Sequence, residues 1–408
     1  MSDPQPAFGA GRLEISATEH SARRAALRGQ LEARGLTAML VSNPARVAYL
    51  SGFHYAATER PIVLVIAREG PTGLLIPRLE TDHVRAQSPS LKLVLTYPEY
   101  PGGGSGHHPL ESLKALLESM RAPTTGLAAD HDGYEARWGY RGPRYSTVFG
   151  QPVLEAPELI DGLRAVKSPA EVALIEEACR WGDHAHDLMV QAIKLGSDEL
   201  VVSHNASLQA TRDMLNALGE RYAPKAREGL PANTMFISGR NTANPHGLHE
   251  HRGVQAGDVL VTGAYGIVGG YESELERTMI FGAPDATYRE RFAAMLAIQD
   301  AAFNALRPGR TCADFEREIT EFIVDLNLSA HTRHHTGHAF GLEGHEAPFL
   351  DLDDHTPIKE GMIFSLEPGL YYPGQGGYRH SDTVLVTQNG CRALSHYPRQ
   401  LDELIVQG

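Results

Sequence analysis

Between residues 334 and 382 the chain carries three short runs rich in groups that bind cations or move protons: HHTGHAFGLEGHEAP, GMIFSLEPGLYYPG and GGYRHSDTVLV. Gly337 and Gly341 flank His338, so backbone can come close to that imidazole. Glu367 lies inside the apolar stretch MIFSLEPGLYY, where an unpaired carboxylate is costly, and it therefore requires a partner. Upstream, GGYESELERTMIFG at 269–282 puts Glu272, Glu274 and Glu276 at alternate positions, which on a strand is one face. Three like charges stacked that closely need a cation or a proton between them. Imidazoles and carboxylates gathered from separate strand-like runs read as an active site.

These runs, together with NPHG at 244–247, resemble the pita-bread family of aminopeptidase P, prolidase, methionine aminopeptidase and creatinase over roughly residues 160–400. Five separate motifs recur in the same order. The resemblance implies five ligand positions for two divalent metals, and here they are Gly263, Glu274, His338, Glu367 and Ser381. Glycine offers no side chain, and a neutral hydroxyl is a poor substitute for a carboxylate. What remains is Glu274, His338 and Glu367, the ligand set of a mononuclear zinc centre with an open position for water. Glu276 stands in ELERT, where creatinase-like members carry ALERT with a glutamate that contacts substrate. Spacing leaves Glu274 and Glu276 as alternatives for the third ligand; Glu274 is the leading choice, and Glu276 is then the general base. His246 matches a family histidine that lines the cleft and handles protons, and His345 one that binds substrate or stabilises the intermediate, tasks that suit a near-neutral pKa.

The implied activity is that of a metallopeptidase hydrolysing short peptides, similar to Xaa-Pro peptidases. The alternative is a metal-independent creatinase-like or ectoine-hydrolase-like hydrolase of a small non-peptide C–N bond; a third class is a binding module without turnover. The family also implies a homodimer. His331, His334, His335, His355 and His380 read as supporting or surface groups, with His380 turned by strand alternation to the face opposite Ser381. Arg277 and Arg379 suit either pairing with buried carboxylates such as Asp382 or capture of a substrate carboxylate. GQGG at 374–377 precedes no helical pattern and reads as a turn before a strand.

The fold expected to position these groups is α/β (α+β): a creatinase-like N-terminal α/β domain with a mixed sheet, residues 1–160, then a pita-bread domain, residues 161–408. A helix over 16–35 ends at Gly35, and TAMLVSN and RPIVLVIA read as buried strands. Ser168, Pro169 and Glu171 form the start signal of a long amphipathic helix. Helices are predicted over about 168–194, 197–220, 287–306 and 312–326. Between them, VLVTGAYGIVGGYESELERTMIF predicts a hairpin whose first strand ends near Gly263, turns through the glycines at 266–270 and resumes at Tyr271. The loop at 100–109 is flexible by composition, and His107 and His108 within it are expected to be solvated.

Composition narrows the partners. A formal charge of −13 argues against nucleic acid or an anionic membrane as a general partner. Cys179, Cys312 and Cys391 are odd in number and widely spaced, which suits core packing in a reducing compartment rather than disulfides or a cysteine-type zinc site. The N-terminus shows no basic segment followed by an apolar one, and no run approaches a membrane span. A cytoplasmic enzyme is expected.

Overall fold

The structure, a computed structural model, describes residues 11–100, 107–225 and 229–407. The first ten residues and the glycine-rich 101–106 lie outside the described residues, so the expectations for the leader region and for that flexible loop concern segments not described. Two compact units are present, one mainly Ile15–Arg164 and the other Ala165–Pro224 together with the chain from residue 229 onward.

In the first unit, strands β1 (Ala38–Val41), β2 (Val63–Ala67), β3 (Thr72–Pro77), β4 (Leu93–Tyr97), β5 (Leu127–Ala129) and β6 (Leu154–Glu155) form one sheet in the order β4-β3-β2-β1-β5-β6. The β1–β2 and β2–β3 pairs are antiparallel and the rest parallel, which is the mixed sheet expected. Every residue of β1 and β2 is buried, as their unbroken apolar runs require. The helix Ala17–Ala33 starts at Ser16, whose hydroxyl accepts from the Glu19 amide. His107 is exposed beside Glu111, but His108 departs from the solvated reading. Its ring packs edge-on against Tyr100 and Tyr140, and its Nδ1 accepts from the Leu110 amide.

The second unit holds β7 (Ala232–Ser238), β8 (Val259–Val268), β9 (Tyr271–Glu272), β10 (Leu275–Phe281), β11 (Gly337–Ala339), β12 (Glu346–Leu350), β13 (Ile363–Leu366), β14 (Gly369–Tyr372), β15 (Gly376–Arg379), β16 (Ser381–Thr387), β17 (Gly390–Ala393) and β18 (Ile405–Val406). Its main sheet runs β12-β11-β13-β16-β10-β8-β7, with β14 and β15 as a separate hairpin. The four expected helices are Pro169–Ala192, Glu199–Leu218, Ala286–Ala305 and Cys312–Asp325. Ser168 and Glu171 close a capping box at the first of them. The sheet and helices bury one core that includes Met189, Phe236, Leu260, Met295, Phe315 and Phe364.

The hairpin differs from its prediction. β8 continues past Gly263 to Val268, and the turn is confined to Gly269 and Gly270, both at positive φ (59° and 88°). Gly266 serves packing instead: a Cβ there would overlap the Ala178 carbonyl of the helix Pro169–Ala192. The returning strand starts at Tyr271 as expected but breaks at Ser273 and Glu274 before β10. Among the described residues no helix is long and apolar enough to cross a membrane.

Candidate metal centre

β11 presses tightly on its neighbour. A Cβ on Gly337 would overlap the Ser365 carbonyl of β13, so only glycine lets the two strands approach and carry His338 to the site. The His338 amide donates to Ser365 Oγ (3.1 Å), and its Nδ1 lies 3.1 Å from the Ala339 carbonyl. A proton on Nδ1 is thereby satisfied, and Nε2 points at the carboxylates. Glu367 follows β13 directly, its amide donating to the Thr336 carbonyl (2.8 Å). Glu274 sits in the strand break, clamped by one hydroxyl: Thr383 Oγ1 accepts from its amide (2.9 Å) and donates to its carbonyl (2.8 Å).

The three side chains converge. His338 Nε2 is 3.1 Å from Glu367 Oε1 and 3.7 Å from Glu274 Oε2, and one donor atom from each residue lies within 4.8 Å of the others. A cation about 2.0–2.2 Å from each donor sets them roughly 3–4 Å apart, which the two distances from His338 Nε2 match. The residues fit one divalent cation. They do not fit a second: Gly263 offers no donor, and Ser381 Oγ donates to Glu274 Oε1 (2.6 Å).

The charges already call for a positive partner. Burial, reinforced by the charge on Glu367, pushes the Glu274 carboxyl up to about 8. Burial also opposes charge on Glu367, but the hydrogen bond to His338 and the Arg379 guanidinium outweigh it and hold this carboxyl down at about 2. For His338 burial again opposes charge, yet the hydrogen bond to Glu367 and the charges of both glutamates raise the imidazole to about 9. A cation entering the triad replaces that proton.

Glu276, expected as the general base, is placed differently. Arg379 donates to both of its oxygens, from Nε to Oε2 and from Nη2 to Oε1 (2.6 Å). Glu272, Glu274 and Glu276 nonetheless border a single cavity, walled also by Met235, Gly263 and Phe340. The ring of His345 stacks on His338 with centroids 3.6 Å apart, at the exposed mouth of the site. Burial and the charge of His338 lower its pKa, with a smaller contribution from His246, which is itself exposed in a turn. Arg277 pairs with Asp382 (2.7 Å), so both arginines hold carboxylates of the protein. His380 is fully buried, its ring edge-on to Phe292. His355 is exposed, His335 lies 3.7 Å from Asp351, and His331 stacks on Tyr372.

Three contributors escaped the sequence reading. Tyr371 Oη lies between His334 Nε2 (2.7 Å) and Arg379 Nη1 (3.2 Å), Thr383 clamps Glu274, and Ser381 is a donor rather than a vacant ligand position. Strand alternation hinted only at Thr383, two residues beyond Ser381 and on its face.

Comparison with known proteins places these features. The profile of "Metallopeptidase family M24" matches residues 173–388, and that of the "Creatinase/Prolidase N-terminal domain" matches residues 23–166. An Xaa-Pro dipeptidase of Pyrococcus furiosus is 32% identical over 244 residues, covering 60% of this chain and 67% of that protein. A probable dipeptidase PepE of Mycobacterium tuberculosis is 28% identical over 382 residues, 93% of this chain and 96% of the relative. Among solved structures, the dipeptidase PepE from Mycobacterium ulcerans superposes with a TM-score of 0.81 at 25% identity, covering 97% of this chain and all of that one.

Proposed function

Because the chain belongs to metallopeptidase family M24, we propose that it hydrolyses the peptide bond of dipeptides and other short peptides, Xaa-Pro dipeptides foremost, with a single divalent cation, zinc, held by Glu274, His338 and Glu367. The observation that carries this reading is the convergence of those three donor atoms within 4.8 Å, with Nε2 of His338 turned toward both carboxylates. A cation bound there supplies a lowered pKa for water and polarisation of the scissile carbonyl. The protein's own groups do the rest. His338 and Glu367 fix the geometry through their backbone bonds to Ser365 and Thr336. His345, its pKa lowered by its surroundings and its ring stacked over His338, accepts the proton of the attacking water at the mouth of the site and returns it to the leaving amine, while His246, exposed in its turn, orients the intermediate. Glu276, tied to Arg379, serves as a fixed counter-charge rather than a base. The names of the relatives support the substrate class. A homodimer working in the cytoplasm completes the proposal.

A metal-independent reading has one observation in its favour: the imidazolium of His338 pairs with Glu367 at 3.1 Å, while Glu274, raised to about 8, keeps its own proton, so the triad is balanced without any cation. Release of free amino acids from a panel of dipeptides, before and after chelation, separates the two. Turnover abolished by chelation and restored by zinc is expected. Dipeptide turnover untouched by chelation favours metal-free chemistry, and no turnover of any dipeptide overturns the peptidase reading and leaves the small non-peptide C–N bond as the substrate.

A further inference from the structure

We infer that the Glu276–Arg379 ion pair stands in the place of a second divalent cation, so that the site accepts one cation and closes itself to another; this rests on the one-cation reading above. The register is the first observation. Glu276 on β10 pairs directly with Gly263 on β8 and with Ser381 on β16, so the two positions that lack a carboxylate are its cross-strand neighbours on one face of the sheet. Space is the second. A Cβ on Gly263 would lie 3.6 Å from Glu276 Cγ and 3.8 Å from its Oε1, so the Glu276 side chain lies over the bare glycine.

The guanidinium is held in that place on several sides. Besides its two bonds to Glu276, Arg379 Nη1 donates to the Pro245 carbonyl (2.9 Å) and reaches Tyr371 Oη, which is itself fixed by His334. Arg379 is buried, and its planar fork matches the carboxylate as a point cation could not. The remaining route to a second cation is blocked as well. Glu274 faces His338 through Oε2, and its other oxygen, which could bridge to a neighbouring ion, accepts from Ser381.

The test counts cations bound by the full chain, using equilibrium dialysis of Mn²⁺ followed by elemental analysis, with circular dichroism to check folding. Wild type should take one equivalent and Arg379→Met a second, weaker one, because Glu276 is then left bare beside Glu274. Two equivalents on wild type, or a folded Arg379→Met that takes only one, overturns the inference while the triad's own ion stands. Zero equivalents on wild type overturns the one-cation reading and this inference together. If Arg379→Met does not fold, Gly263→Asp/Ser381→Glu decides with Arg379 in place: a single equivalent supports the inference, because the ion pair still holds the place, and a second one overturns it.

Discussion

Replacing His338 with alanine removes the one nitrogen donor of the triad, and both metal and turnover should disappear; elemental analysis of the purified variant checks the first and dipeptide hydrolysis the second. Full metal content in that variant would transfer the ligand role to another histidine. The two glutamates should separate. Glu274→Gln should lose metal affinity by about 10-fold or more, since even partners that only orient ligands cost about 10–100-fold. Glu276→Gln should keep its metal but unfold more easily by up to about 3–5 kcal/mol, because Arg379 is left buried without its counter-charge. Denaturant melts alongside metal analysis test this, and equal small effects from both changes would contradict the assignment. Residue types marked out His338, Glu367 and Glu274 because each is an ionisable group set among strand-like or glycine-rich neighbours. The partner of Glu276 was not legible, since Arg379 lies 103 positions away and no local spacing links the two.

The approach of β11 to β13 is what delivers His338. Gly337→Ala should therefore cost at least about 2–4 kcal/mol and reduce metal content, because the added methyl can be relieved only by shifting β11 off Ser365. Gly263→Ala is the control. Its methyl meets only ordinary contacts, the nearest at 3.5 Å, so stability should change by less than about 1 kcal/mol. Comparable losses in the two variants, read from thermal or denaturant unfolding, would show that strand spacing is not what positions the imidazole. Helices were well signalled by their periodicity and by the Ser168–Pro169–Glu171 start, and they fall close to their predicted bounds. The hairpin was less legible. Among the glycines of its turn region, Gly266 answers to a helix packed against it, a demand from outside the segment. The break at Ser273 and Glu274 depends on Thr383 of another strand, and nothing local announces it.

At the scale of the molecule, buried histidines set the response to acid. His186 is fully buried; its Nε2 lies 2.8 Å from Thr262 Oγ1, and burial, aided by the charge of Arg277, holds its pKa at about 3. Between pH 3 and 6.5 the unfolded chain binds this proton and the folded one does not, so the group lowers stability as pH falls through that window. At pH 5 its share is about 2 kcal/mol. His186→Gln should lose less stability than wild type between pH 7.5 and 5 in urea melts; an equal loss would mean that the imidazole protonates freely in the folded state. The α/β class and the family were legible because five motifs keep their order along the chain, whereas cation number depends on which side chains meet across β8, β10 and β16. The most direct test of a one-cation peptidase is therefore a titration: chelator-stripped protein receives zinc in fractions of an equivalent while hydrolysis of an Xaa-Pro dipeptide is followed. Activity should rise linearly and level off at one zinc per chain. Full activity with no zinc added, or a rise that continues to two, would contradict the account.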